Sequence, residues 1–252
     1  MTGRVVVVTG SAGGIGSAIV ARFVALGDRV VGIDLATDAL GGAVDVGHGA
    51  TGLGGVDITD PAACQAAADQ VVETHGRIDV LCNNAGVGSV GDVVSATLDE
   101  WQRVFAVNVF GMANMSRAVL PVMRAAGRGS VVNTCSVAAS VGLVERAVYS
   151  ASKGAVLALT KAMAADEAER GIRVNCVSPG TVRSPWVERL IAATPDPEAA
   201  MDALRRRQPL GRLVTCEEVA DTVVYLAAPT TFTSGADVLL DGGITGMRLV
   251  GR

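Results

Sequence analysis

Aromatic residues are scarce in this 252-residue chain: two Trp, two Tyr and four Phe, 3% in all. That argues against an aromatic-rich all-β core. Half of the residues are apolar and many are Gly, Ala or Val, which suits helices packed closely on a parallel sheet. Histidine is rarer still. His48 lies in a glycine-rich stretch and His75 at a helix end, and neither has metal-ligand company, so no metal centre is expected. The five cysteines (Cys64, Cys82, Cys135, Cys176, Cys216) are odd in number and free of CxxC spacing. They read as thiols of a reducing cytoplasm, with Cys135 and Cys176 as small buried residues at strand ends. A formal net charge of −4 with no basic tail or patch argues against nucleic acid as a partner. No apolar run has membrane length, since VVVV at 5–8 is strand-sized. The chain enters that strand almost at once, leaving no room ahead of it for a secretory leader.

What is present alternates. Strands are expected at 4–9, 29–34, 55–57, 78–82, 130–135, 173–177 and 238–240, and helices at 15–26, 61–75, 99–126, 148–170 and 216–227. Strand and helix in turn predict an α/β fold: one Rossmann-type domain over 1–252, a doubly wound seven-stranded parallel sheet with helices on both faces. No linker divides it. Residues 36–54 carry six glycines where a helix should cross between the second and third strands, so an irregular or shortened crossover is expected there.

Two motifs carry chemistry. The first is TGSAGGIG at 9–16, between strand and helix. Its glycines permit a tight turn and let backbone approach a pyrophosphate at a helix N-terminus. Asp34 ends the second strand, where a carboxylate accepts hydrogen bonds from a ribose and repels a 2′-phosphate. Neither the glycine loop nor the six residues after Asp34 hold Lys or Arg, so NAD is expected over NADP. NNAG at 83–86 closes the fourth strand and can line the same crevice, although alone it could equally be a turn. The second motif is SVAASVGLVERAVYSASK, 136–153. Tyr149 and Lys153, at i and i+4, share a helix face. A free phenol, with a reference pKa near 10, is a poor base at neutral pH, and an ammonium nearby favours the phenolate. Ser136 adds a hydroxyl that can steady a substrate oxygen while its proton moves. YxxxK alone is common in helices where Tyr packs and Lys is solvated.

Together, TGSAGGIG, NNAG, Asn108 in VNVFG, the Ser136/Tyr149/Lys153 set and Pro179-Gly180 stand in the order of the short-chain dehydrogenase/reductase family, which the chain resembles over nearly its whole length. The resemblance implies Tyr149 as general acid/base, Ser136 as holder of the substrate oxygen and Lys153 as binder of the nicotinamide ribose. It gives Asn108 a water that links Lys153 to solvent. It also implies cofactor contacts from Gly10, Ser11, Gly14, Ile15, Gly16, Asp34, Leu35, Asp57, Ile58, Asn84, Ala85, Gly86, Pro179, Gly180, Val182 and Ser184. The last of these keeps a hydroxyl where the family usually has Thr. A homotetramer built on the long helices after the fourth and fifth strands follows from the same resemblance.

Residues 181–208 read as a helical lid over the substrate. Three arginines, Arg146, Arg189 and Arg207, are candidates to bind a substrate carboxylate, although Arg205, Arg206 and Arg207 in a row equally make a solvated helix face. The patterns VERAVYSASK, PGTVRSPWVERL and RRQPLGR are similar to a branch with cytosolic 3-hydroxybutyrate, 2-keto-3-deoxy sugar acid and L-fucose dehydrogenases. Arg183 departs from it, standing where that branch tends to be acidic. The tail after Asp241-Gly242-Gly243 could reach a neighbouring subunit's cleft or fray as a free end. The expected activity is NAD-dependent hydride transfer with a small hydroxy acid, sugar or sugar acid. The alternatives are an NADPH-dependent ketone or acyl-thioester reductase and a non-catalytic NAD-sensing protein.

Overall fold

The computed structural model describes residues 3–36, 44–45 and 50–247. Its first strand, β1 (Val5–Thr9), is buried along its whole length. Val5 and Val7 face one core layer with Leu81, Met115 and Val119. Val6 and Val8 face the other with Ile19, Phe23, Val219 and Val223. A strand covered on both faces needs apolar residues at every position, which is why VVVV forms it. Helix α1 (Gly14–Ala25) and β2 (Arg29–Ile33) follow.

Beyond β2 the observed strands differ from the expected ones. A two-residue strand β3 (Val44–Asp45) lies antiparallel to β4 (Thr51–Leu53), and β4, not 55–57, pairs with β2. Gly55, at φ 74°, turns the chain out of the sheet, so 55–57 lie past the strand. The backbone still follows Asp34 at this edge, which accepts from Val56 N–H and donates to Leu53 C=O. Residues 37–43 and 46–49 of the glycine-rich crossover lie outside the described residues.

Helix α2 (Pro61–His75) begins at the Asp60 cap with proline in its first turn and stops at Gly76, φ 75°. After β5 (Val80–Asn83), the expected helix over 99–126 is three pieces. These are α3 (Leu98–Phe105), a π-helical turn (Ala106–Gly111) and α4 (Met112–Ala126). Next come β6 (Gly129–Thr134), α5 (Ala147–Glu167) and β7 (Ile172–Pro179). A small parallel ribbon, β8 (Val182–Arg183) with β9 (Val214–Thr215), ties the two ends of an excursion that carries α6 (Pro185–Ala192) and α7 (Pro197–Arg206). The chain closes with α8 (Cys216–Ala227), started by a capping box of Thr215 and Glu218, and β10 (Asp237–Leu240).

The strand order is β10-β7-β6-β5-β1-β2-β4-β3, parallel except for β3. Consecutive strands run outward in opposite directions from β1 and β5. The crevice beyond the carboxyl ends of those two strands is where such sheets take ligands. Residues 248–252 of the tail lie outside the described residues. No described helix is long and apolar enough to cross a membrane.

Candidate active site

The glycine loop bridges β1 and α1. Gly10 has φ 65°, and a methyl group on it would come 2.8 Å from Ala85 Cα. One on Gly16 would collide with Gly10 O, and one on Gly32 would meet Ser11 Oγ at 2.7 Å. The loop therefore packs directly on NNAG. Asn84 Nδ2 donates to Thr9 O (3.1 Å) and Gly10 O (3.2 Å), and the Thr9 hydroxyl accepts from Asn84 and Ala85 N–H (3.0 and 3.1 Å). α1 starts at Gly13 with no side-chain cap, whereas α2, α3, α6, α7 and α8 are each capped by Asp, Thr or Ser. Its first amides are left for an outside acceptor. Ser11 Oγ is buried without a hydrogen-bond partner among the described residues, and a group with hydroxyls or phosphate oxygens would satisfy it. Asp34 accepts from Ala12 N–H (2.9 Å) and Ala36 N–H (3.1 Å), which holds its carboxylate against the loop. These features fit a dinucleotide.

Other expected cofactor residues are placed as follows. Asp57 spends one carboxylate oxygen on Thr59, through its N–H and its hydroxyl, both at 2.8 Å. Ile58 is buried against Gly111, and Leu35 is exposed. Pro179 ends β7 beside Gly180, whose N–H donates to Leu240 O (2.9 Å). Val182 lies in β8, and Ser184 caps α6 through Val187 N–H (3.3 Å). A methyl group on Gly14 would approach Pro185 Cδ to 2.6 Å, so the start of α6 sits on the start of α1.

On the other side of the crevice stand the residues expected to do acid/base work. Tyr149 is half-buried in the first turn of α5, with Lys153 Nζ 5.8 Å from its ring centroid. Lys153 is buried and donates to Thr134 O (2.8 Å). Ser136, after β6, accepts from Ala138 N–H (3.2 Å), so its own hydroxyl proton is free to meet a substrate oxygen. A methyl group on Gly86 would come 3.2 Å from Asn108 Oδ1 and 3.6 Å from Lys153 Nζ, which brings NNAG, Asn108 and Lys153 together.

Asn108 is buried in the π-helical turn, and its side chain is a brace. Oδ1 accepts from Val87 N–H (2.8 Å), and Nδ2 donates to Val87 O and Ser152 Oγ (both 3.0 Å). Ser152 in turn donates to Tyr149 O (2.7 Å). Both amide protons are thus committed inside the protein. π turns recur at functional sites because they change the hydrogen-bond register within a helix.

The three arginines sit on separate elements. Arg146, the N-cap of α5, donates from Nη1 to Ser89 O and Glu145 O (both 3.1 Å). Arg189 and Arg207 are exposed, on α6 and at the end of α7. Arg183 pairs with Glu188 (2.8 Å) on the surface of the excursion that carries α6.

Sequence reasoning missed Thr9, Thr134, Ser152, Arg103 and Trp186. Ser152 was visible as the second of two serines between Tyr149 and Lys153; Thr134 acts through its backbone, which leaves no residue-type signal. The groove of about 290 Å³ lined by Pro61, Gln65, Asn114 and Arg117 holds none of the expected site residues. Among the described residues no cluster of His, Cys, Asp or Glu is set to hold a metal ion.

A doubly wound sheet, a bare glycine turn at its switch point and a Tyr/Lys pair across the crevice define a Rossmann-type oxidoreductase. A family profile described as enoyl-(acyl carrier protein) reductase matches residues 10–245. The chain is 40% identical over 247 residues to dehydrogenase/reductase SDR family member 6 of Danio rerio, covering 96% of this chain and 98% of that one. It is 37% identical over 242 residues to L-fucose dehydrogenase of Bos taurus (96% and 89%). Thermoplasma acidophilum aldohexose dehydrogenase superposes with a TM-score of 0.88 at 32% identity (99% and 97%). ElxO with NADP bound superposes with a TM-score of 0.91 at 25% identity (98% and 100%). The chain belongs to the short-chain dehydrogenase/reductase family, nicotinamide-dependent oxidoreductases, and acts on CH–OH groups.

Proposed function

We propose that this protein is an NAD-dependent dehydrogenase of a small hydroxy acid, sugar or sugar acid, working as a homotetramer in the cytoplasm. The observation that carries the reading is the convergence of Gly86, Asn108 and Lys153 beside Tyr149, next to an uncapped glycine turn. The nicotinamide, when bound, exchanges a hydride with the carbinol carbon. The chain's part is to position that carbon and move its proton. Tyr149 takes the hydroxyl proton on oxidation and returns it on reduction. Ser136, its proton unspent, donates to the oxygen as negative charge gathers there. Lys153 is aimed by Thr134 O and keeps two N–H donors for a ribose and the proton path.

Asp34 supports NAD, because a carboxylate seated on the glycine loop repels a 2′-phosphate. The relative with bound NADP favours the NADPH-dependent alternative. The cytoplasmic reading rests on five buried, unpaired thiols. Substrate class rests on the sugar dehydrogenases among the relatives and on Arg146, Arg189 and Arg207 as candidate carboxylate binders at the start of α5, on α6 and at the end of α7.

The test is initial rates with NAD⁺ and NADP⁺ over L-fucose, other aldoses, sugar acids and 3-hydroxybutyrate. NAD⁺ should be preferred by on the order of a hundredfold in kcat/KM, about 2.7 kcal/mol of discrimination, with Asp34→Ser narrowing the gap. A wild-type preference for NADP⁺ would sink the cofactor assignment.

A further inference from the structure

Residues 87–91, after β5, belong to no helix or extended strand, yet their backbone is held from several directions. Asn108 takes the N–H and C=O of Val87, and Arg103 Nη2 donates to Gly88 O (3.3 Å). Arg146 Nη1 donates to Ser89 O (3.1 Å). Gly91 donates to Glu145 O (3.0 Å) and accepts from Ala147 N–H (3.1 Å). Glu145, at φ 54°, is the one non-glycine residue with positive φ among the described residues. Strain of that kind persists where surrounding contacts impose it. The supports come from α3, the π turn and the first turn of α5, so the segment is a rigid ledge referenced to Tyr149 and Lys153.

Trp186 of α6 rests on this ledge. A methyl group on Gly88 would stand 3.3 Å from its Cη2 and 3.6 Å from its Cζ2. The preceding residue, Pro185, stands over Gly14 at the start of α1. Two adjacent lid residues therefore span from the nucleotide turn to the catalytic ledge, each seated on a glycine. Trp186 remains 51% exposed, and Leu190, one turn on, is also exposed. A lone exposed tryptophan is ordinary on a surface. One seated on a braced ledge, across the crevice from the glycine turn, is placed to roof that crevice.

We propose that Trp186 is a specificity-determining residue: its indole roofs the substrate crevice, admitting alcohols of few carbons and excluding extended chains. This rests on the reading of the crevice as the dehydrogenase site. The probe is a series of straight-chain 2-alkanols from 2-propanol to 2-octanol, oxidised with NAD⁺ by wild type and by Trp186→Phe, Trp186→Leu and Trp186→Ala. The long-to-short ratio of kcat/KM should rise in that order, by roughly 10–200-fold at alanine, the range a single methylene commands in a shaped apolar pocket. A uniform loss across the series, or an unchanged ratio in the Phe and Leu variants, overturns the proposal. The second readout is independent of turnover. Trp101 and Trp186 are the only tryptophans, so Trp101→Phe isolates the indole of interest. With NAD⁺ binding followed by calorimetry, Trp186 should lose about half of its iodide quenching as its inner edge is covered. Heat of NAD⁺ binding with unchanged quenching overturns the roof and leaves the dehydrogenase reading standing. Absence of NAD⁺ binding overturns both.

Discussion

Replacing Asn108 with alanine separates two roles that a family resemblance merges. In this protein the side chain makes three hydrogen bonds, at 2.8, 3.0 and 3.0 Å, to Val87 N–H, Val87 O and Ser152 Oγ. Asn108 is 1% exposed, so its removal leaves partners in an enclosed site rather than in bulk water. An orphaned backbone N–H or C=O costs about 1–3 kcal/mol. With Val87 half-buried and the hydroxyl of Ser152 still bonded to Tyr149 O, the total comes to about 2–5 kcal/mol. For a chain of this size that lowers the melting temperature by roughly 5–15 °C. Asn108→Asp should do no better, because it keeps the acceptor for Val87 N–H but sets a second acceptor against Val87 O. Circular-dichroism melts and steady-state kinetics on the same samples provide the assay. A brace predicts that stability and kcat fall together. If Asn108→Ala melted within about 1 °C of wild type while kcat collapsed, the side chain would not be holding the ledge, and the brace argument would fail.

Other consequences are simpler to check. The Arg212 guanidinium and Thr215 N–H pull the carboxyl of Glu218 down to about 2 from its ordinary 4.5. A depressed carboxylate adds stability above its unfolded value and loses it as pH falls from about 4.5 to about 2. The gap in urea midpoint between wild type and Glu218→Gln should accordingly be present at pH 7, shrink with salt because the pair is exposed, and close by about pH 2. All five thiols are buried, and burial raises Cys64 to about 11. Cys135 is pushed the other way, downward, by its buried neighbour Cys176 and the nearby Lys153 ammonium. Ellman's reagent should find the native thiols slow and all five reactive in denaturant; prompt reaction of Cys135 in the native protein would contradict its burial. Light scattering should give about 100 kDa for a tetramer of 25.5 kDa chains, and a monomer at working concentration would refute that assembly.

Some elements were legible because local chemistry marks their ends. Asp60-Pro61 before an apolar-periodic run and Gly76 after it delimit α2, and Thr215 with Glu218 marks the start of α8. β1 shows itself as four consecutive valines. β4 left no such trace: TGL is three residues long, centred on glycine, and held by its partner β2 rather than by propensity. The π turn was equally hidden, because six residues inside a helical pattern shift register without breaking the apolar period. In the site, Tyr149, Lys153, Ser136 and the glycine turn carry their chemistry in their residue types and spacing. The ledge does not, since it is made of backbone groups in 87–91 gripped by Asn108, Arg103 and Arg146 from three distant places. Arg146 was expected as a candidate to bind a substrate carboxylate; that its Nη1 is engaged on the Ser89 and Glu145 carbonyls was not legible, because both acceptors are backbone groups.

The central claim is that Tyr149 moves the substrate proton in a crevice whose nucleotide end is built separately. Its most direct test is Tyr149→Phe, which deletes one hydroxyl, assayed with the best alcohol found for the wild type and with NADH affinity measured by fluorescence. The account predicts a fall in kcat of about 10²–10⁴-fold with NADH affinity held within about twofold, since the glycine turn and Asp34 are untouched. Turnover at the wild-type rate would contradict it.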